Sequence, residues 1–350
     1  MEHNQELKSF INIWCIAISS ICYCYFIPAR ISGGVARLLS LVPVVTVFSI
    51  LPPPFSTVHL AFLTFFFLVW LGNFKLLLFA FNRGPLSSKP RLPIHTFVSV
   101  ALLPINPKQS NNNSIIIEPF PFPLPKPILL AIKVAIITMC VHVYPYKDNL
   151  QWSLIIFLSF LYMYITFELG FATIAFFVKI FHGFDLEIEP QFNEPYLATS
   201  LQDFWGRRWN IVSSSILRAT IYNPIRMMLA PHIGKFRGQL VGIFVTFVVS
   251  GLMHEWMFFY LLRVRPTWEV TWFFVLNGVS TAVEVAVKKA VNDRFHLHRA
   301  VSGPLTMSFL VVTGGWLLFG PLITNGVDAR FINESLVVLN LIGIDVNIMQ

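Results

Sequence analysis

The chain has 350 residues, 55% hydrophobic, 15% aromatic and only 12% charged, with 25 Lys and Arg against 17 Asp and Glu for a formal net charge of +8. Soluble globular domains carry about 25% charged residues, so a chain with 35 Phe and a mean hydropathy of +0.68 cannot cover its surface with polar groups in water. That excludes a soluble enzyme, a disordered chain and a disulfide scaffold; Cys15, Cys22, Cys24 and Cys140 all lie in apolar stretches and read as small hydrophobes.

The composition points to an all-α polytopic membrane protein. A bilayer core of about 30 Å takes roughly 20 apolar helical residues, and the long runs here exclude the short alternating segments of a barrel. In chain order, residues 10–28 hold no charge; Glu2 and Glu6 precede them against Lys8, without the positive leader of a cleaved signal, so the run reads as a retained first helix. Runs at 38–55 and 57–81 follow, split by Pro52-Pro53-Pro54. Residues 82–126 form a proline-rich connector. Spans at 127–144 and 150–180 come next, then the polar interval 181–239, then spans at 240–262, 268–287 and 302–323. This gives eight spans in a single domain, 1–350, with 336–344 apolar but short, so that 331–350 leaves a ninth open.

With eight spans, the segments 28–37, 82–126, 181–239 and 288–301 share one face and carry 17 of the Lys and Arg, against 5 on the other. The positive-inside rule predicts that the richer face is cytosolic. The net charge is then a topology signal, and no basic patch on a soluble fold supports nucleic-acid binding. Asn112, in an Asn-x-Ser sequence, falls on the cytosolic side and is expected to carry no glycan. No internal repeat of the kind common in transporters is visible.

Several chemistries are missing. There is no Gly-x-Ser-x-Gly, no P-loop and no Gly-x-Gly-x-x-Gly, and His254-Glu255 has Phe258 where a helical zinc protease needs a second His. Within 240–262, however, His254 and Glu255 are the only ionisable residues. His254 is about 12 Å inside one end of that span at 1.5 Å per residue. A titratable group at this depth faces a cavity or the bundle interior and marks function. Ser250 and Gly251, one turn earlier, are expected to leave space beside the ring for a substrate. The second constellation is Asp203-Phe-Trp205-Gly-Arg207-Arg208-Trp209-Asn210. On a helix capped by Thr199 or Ser200, Asp203 would pair with Arg207 and Trp205 with Trp209, each four apart. Asn210, two turns on, would share the face of Asp203. Glu168 and Glu284 read as packing ion pairs with Lys133, Lys179 or another base, and Lys75 as a snorkelling side chain. If instead Glu168, His254 and Glu284 formed a relay, the chain would be a transporter.

Beyond these residues, the blocks Asn73-Phe-Lys-Leu-Leu-Leu-Phe-Ala-Phe with Gly84-Pro-Leu-Ser, 190–210, Val249-Ser-Gly-Leu-Met-His254-Glu255 and Thr313-Gly-Gly-Trp316 extend over nearly the whole chain. Together they resemble the plant wax synthase branch of the membrane-bound O-acyltransferase superfamily, the long-chain-alcohol O-fatty-acyltransferases. Many members have Ala-Asn-Phe-Lys where this chain has Gly72-Asn73, a departure with no expected consequence. The resemblance implies helices enclosing an intramembrane chamber in the endoplasmic reticulum, with His254 as catalytic base and Asn210 as its partner. Acyl-CoA would arrive as co-substrate from the cytosol and a lipophilic alcohol from the membrane, with no metal or other cofactor. Arg207 and Arg208 could hold CoA phosphates, and Asp203, Trp205, Trp209 and Glu255 are the further candidate substrate-binding residues. Sterol acylation and acetyl transfer to diacylglycerol are variations within the same branch.

Overall fold

A computed structural model describes residues 2–51, 55–88, 90–107, 126–183, 187–291 and 297–341. The proline triplet 52–54, residues 89 and 108–125 of the 82–126 connector, with the Asn112 sequence, and residues 342–344 of 336–344 lie outside the described residues. What is described is helical throughout apart from turns and one isolated bridge between Pro107 and Ile188.

Seven helices among the described residues are long and apolar enough to cross a bilayer: Gln5–Arg30, Val58–Ala80, Ile128–Asn149, Trp152–His182, Lys235–Leu262, Glu269–Ala290 and Arg299–Thr324. The expected span at 38–55 is the difference. Its helix, Val35–Ile50, has 16 residues, about 24 Å at 1.5 Å per residue, because Gly33-Gly34 precede it and the proline triplet follows. Its two ends nevertheless reach opposite ends of the bundle. At its start Arg37 donates to the Phe79 carbonyl at 2.9 Å and to Asn82 Oδ1 at 2.7 Å, at the close of Val58–Ala80. Beyond its finish, Ser56 donates from N and Oγ to Glu6 at 2.6 Å, and Arg263 donates to the Phe55 carbonyl at 2.6 Å. Lys147 and Asp328, 3.3 Å apart, and Glu334, which accepts from Val58 N at 2.6 Å, extend the same end. These contacts gather Glu6, residues 55–58, Arg263, Asp328 and Glu334 at one end and Arg37, Phe79 and Asn82 at the other, while seven helices, not the expected eight, qualify by length among the described residues. The expected ninth region belongs to a helix, Val327–Leu341, whose polar residues Asp328 and Glu334 make these contacts.

Val58–Ala80 is the central helix, with 72% of its most apolar window buried. A helix apolar on all sides needs neighbours on all sides, and here these include Val35–Ile50, Ile94–Leu102 and Lys235–Leu262. Lys75 corrects the expectation of snorkelling. It is fully buried, and its Nζ donates to the carbonyls of Val100 at 2.6 Å, Leu103 at 2.6 Å and Ile105 at 3.3 Å. The Val100 carbonyl lies in the last turn of the helix Ile94–Leu102, where acceptors lack partners in their own helix and the dipole is negative, and Leu103 and Ile105 follow its end. Replacing Lys75 by Met should therefore cost on the order of 3 kcal/mol by leaving buried carbonyls unpaired. A thermal-shift measurement in detergent checks this; an unchanged midpoint would contradict it.

Lys235–Leu262 and Glu269–Ala290 form a tight antiparallel pair. A Cβ on Gly278 would lie 2.6 Å from Phe247 Cβ, and one on Gly251 would lie 3.1–3.2 Å from Phe274 Cβ and the Thr271 backbone. Glu255 fastens the turn between them. It is 5% exposed and accepts from Trp268 N at 3.0 Å, Thr271 N at 3.1 Å and Thr271 Oγ1 at 3.0 Å. These are donors of the first turn of Glu269–Ala290, left free by helix geometry.

Candidate active site

The Asp203–Asn210 segment is shaped by a local change in helix type. Ser200 Oγ accepts from Asp203 N at 3.1 Å and caps the turn Leu201–Asp203. The chain then widens into a π turn, Phe204–Arg208, closed by Trp209 N donating to the Phe204 carbonyl at 2.9 Å. In a π turn the residue five positions on comes round to face its predecessor. Asp203 therefore pairs with Arg208, Oδ2 to Nε 2.6 Å, and not with Arg207 as four-residue spacing predicts. Arg208 also donates to the Asn193 carbonyl at 3.2 Å and the Glu194 carbonyl at 3.4 Å, so it holds the preceding loop. Arg207 is left exposed. The expected Trp205–Trp209 pair does not form either. Trp209 stacks on Phe204 with centroids 5.5 Å apart, while Trp205 packs among Phe247, Phe273 and Phe274 and donates Nε1–H to Asn277 Oδ1 at 3.1 Å.

Asn210 follows in the left-handed region, φ 40°, which asparagine tolerates better than most side chains. Its Oδ1 accepts from Ser213 N at 3.2 Å and caps the helix Ile211–Leu217. With the oxygen so engaged, the Nδ2 amide has no hydrogen-bond partner among the described residues. The cap turns Asn210 off the run that Asp203 occupies, so the two do not share a helix face.

His254 is held on three sides. Phe274 stacks on its ring at 4.1 Å and 25°, and Trp70 meets it edge-on at 4.6 Å and 82°. Nδ1 lies 2.8 Å from the Ser250 carbonyl. A carbonyl can only accept, so Nδ1 carries a proton and donates, and Nε2, without a partner among the described residues, is the nitrogen available to a substrate. The space expected beside Gly251 is taken up by Thr271 and Phe274. The open side of the ring faces a cavity instead.

That cavity, of about 760 Å³, is lined by both His254 and Asn210. Trp205, Arg207 and Trp209 also line it; Asp203, Arg208 and Glu255 do not, being occupied in the contacts described above. One end bears Arg207, Arg218, Arg226 and Gln239, and the other Tyr144, Lys147 and Asp328. Between them the wall is largely aromatic and aliphatic, with Phe62, Phe160, Met163, Phe167 and Leu322 among its residues. A second pocket shares Gln202, Arg226 and Gln239 and adds Lys235, Lys288 and Lys289, continuing the basic end. Arg218 and Arg226 were visible in the sequence only as members of a basic interval, and Trp70 and Phe274 only as ordinary apolar residues.

Other intramembrane charges are spent in pairs: Glu168 with Lys133 at 2.5 Å, and Glu284 with Lys288 at 2.6 Å and Leu201 N at 2.8 Å. Neither Glu lines the cavity with His254, so the relay of a transporter is not assembled. Among the described residues no group of three or more His, Cys, Asp or Glu comes together as a metal site.

Residues 188–276, which include Asn210 and His254, match the Membrane bound O-acyl transferase family. The chain is 47% identical over 349 residues to a long-chain-alcohol O-fatty-acyltransferase of Simmondsia chinensis, covering 97% of each protein. It is 44% identical over 340 residues to a probable long-chain-alcohol O-fatty-acyltransferase 3 of Arabidopsis thaliana, covering 97% of this chain and 96% of that protein. An acyl-CoA–sterol O-acyltransferase 1 of Arabidopsis thaliana is 42% identical over 316 residues, 89% of each. Polytopic helices around a cavity and near-full-length identity agree: the chain belongs to the membrane-bound O-acyltransferase family.

Proposed function

We propose that the protein transfers the acyl group of a long-chain acyl-CoA to the hydroxyl of a long-chain fatty alcohol, releasing a wax ester and coenzyme A. The observation that carries this reading is one cavity, cationic at one end and apolar in its middle, with an imidazole on its wall whose Nε2 has no partner among the described residues. In this reading His254 Nε2 takes the alcohol proton as the oxygen attacks the thioester carbonyl. The Asn210 amide donates to the oxygen on which negative charge develops. The imidazolium then returns its proton to the departing sulfur. Water is kept from the thioester by the Trp70 and Phe274 rings and the aromatic wall. Acyl-CoA serves as co-substrate, and no metal or redox group enters the chemistry. Arg207, Arg218 and Arg226 line the cavity and Arg208 does not, so in this reading the first three meet the CoA phosphates. Their end of the bundle is cytosolic in this proposal, and the membrane that of the endoplasmic reticulum, where acyl-CoA is supplied.

Microsomes expressing the protein should transfer labelled palmitate from palmitoyl-CoA to hexadecanol; no ester above control microsomes would defeat the proposal. The similarity to a sterol O-acyltransferase makes a sterol the second acceptor to run in parallel. Removing Arg226 tests the cationic mouth. With a charge-assisted contact worth about 1.5–3 kcal/mol, Arg226→Ala should raise KM for palmitoyl-CoA about tenfold or more and leave kcat near the parent value. A change in kcat alone would place Arg226 elsewhere in the mechanism.

A further inference from the structure

The glycine pair of the Thr313-Gly-Gly-Trp316 block has no role in proton transfer, yet both glycines are buried against the helix Trp152–His182. A Cβ on Gly314 would lie 2.8 Å from Cε2 of Phe160, and one on Gly315 would lie 2.6 Å from Cγ2 of Ile156. The two neighbours face different spaces. Phe160 lines the reaction cavity beside Phe319, ring centroids 5.0 Å apart, whereas Ile156 is 4% exposed and does not line it. Depth matters too. Phe160 is eight residues into Trp152–His182, and His254 is eight residues from the end of Lys235–Leu262, where both helix ends belong to the same end of the bundle. At 1.5 Å per residue each is about 12 Å inside. By this count Phe160 and His254, which line the same cavity, start from about the same depth.

We propose that Gly314 and Phe160 together set the bore of the cavity where the reacting carbons lie, and so govern how much branching the acceptor alcohol carries next to its hydroxyl. The inference rests on the ester-forming reading above and adds a selectivity to it. For His254 to take the hydroxyl proton, the carbinol carbon and its first neighbours must sit at this depth. The bare Gly314 backbone lets the Phe160 ring lie back against Arg299–Gly314 and leaves that space open. Alanine at 314 must displace something, and the atom it meets is the far end of a phenylalanine side chain. The ring moves more easily than two packed helices, and the open direction is the cavity it already lines.

The test compares transfer from labelled palmitoyl-CoA to hexadecanol and to its branched isomer 2-hexyldecanol, using the full chain in microsomes. Gly314→Ala should lower the branched-to-linear ratio of kcat/KM about tenfold, the scale of a misfit of one methylene or so. Phe160→Ala should raise that ratio by a similar factor. The double variant should return to at least the parent ratio, because no ring remains to be displaced. Gly315→Ala, which meets Ile156, should alter thermal stability and leave the ratio alone. An accumulating Gly314→Ala protein with the parent ratio, or a double variant that keeps the Gly314→Ala ratio, would overturn the proposal. If Gly314→Ala does not accumulate, Phe160→Ala decides alone, and an unchanged ratio there overturns it. A parent protein that esterifies neither alcohol defeats the functional reading, and this inference with it.

Discussion

His254→Ala is expected to lower acyl transfer to hexadecanol by about 10²–10⁴, the contribution usual for a positioned general base, while the protein accumulates at the parent level. The separation is expected because, among the described residues, the ring's hydrogen bond goes to Ser250 of its own helix, so the fold does not hang on it. His254→Gln supports the assignment if it is equally inactive, since it keeps polarity and much of the volume but cannot take a proton at neutral pH. Transfer at the parent rate in either variant would remove the imidazole from the mechanism.

Asn210 needs a more careful choice of variant because its two side-chain atoms do different things. Oδ1 caps Ile211–Leu217, and the backbone sits at φ 40°. Alanine would lose the cap, the donor and the tolerance for a left-handed backbone at once. Glycine keeps the backbone free and costs a cap only a few tenths of a kcal/mol. Asn210→Asp retains the capping oxygen and loses the amide donor. Both should lower kcat about 10²–10³, the loss measured for removal of a single oxyanion donor, with KM for palmitoyl-CoA little changed. An Asn210→Asp protein with the parent kcat would assign the residue to folding alone.

The all-helical, many-span character and the placement of seven of the apolar runs could be read directly, because the bilayer demands a minimum length and leaves few ways to meet it; the eighth run, 38–55, gave a helix of only 16 residues. The alternation of basic segments was legible for the same reason, and the contacts that gather Glu6, residues 55–59, Arg263 and Asp328 at one end agree with it. His254 stood out because a titratable group so far inside an apolar run is costly. The Glu168–Lys133 pair and the Ser200 cap were among the expected contacts, but several other partners escaped. Asp203 chose Arg208 over Arg207 because of a π turn, which no four-residue spacing announces. Lys75 found three carbonyls at the end of a helix remote in sequence. Glu255, next to the candidate base, turned away to hold the following helix. Its nearness to His254 in sequence suggested a shared task, but neighbours on a helix point in different directions.

The short helix Val35–Ile50 has a consequence for the lipid around it. A hydrocarbon core of about 30 Å is thicker than the roughly 24 Å this helix offers. Were that helix to cross the bilayer facing lipid, thinning of the adjacent leaflets would relieve the mismatch at a fraction of a kcal/mol per ångström. A thinner bilayer, such as the roughly 27 Å core of the endoplasmic reticulum, requires less of that deformation than a sterol-rich plasma membrane. A helix of this length, wherever it faces lipid, would fit a thin bilayer with less deformation than a thick one.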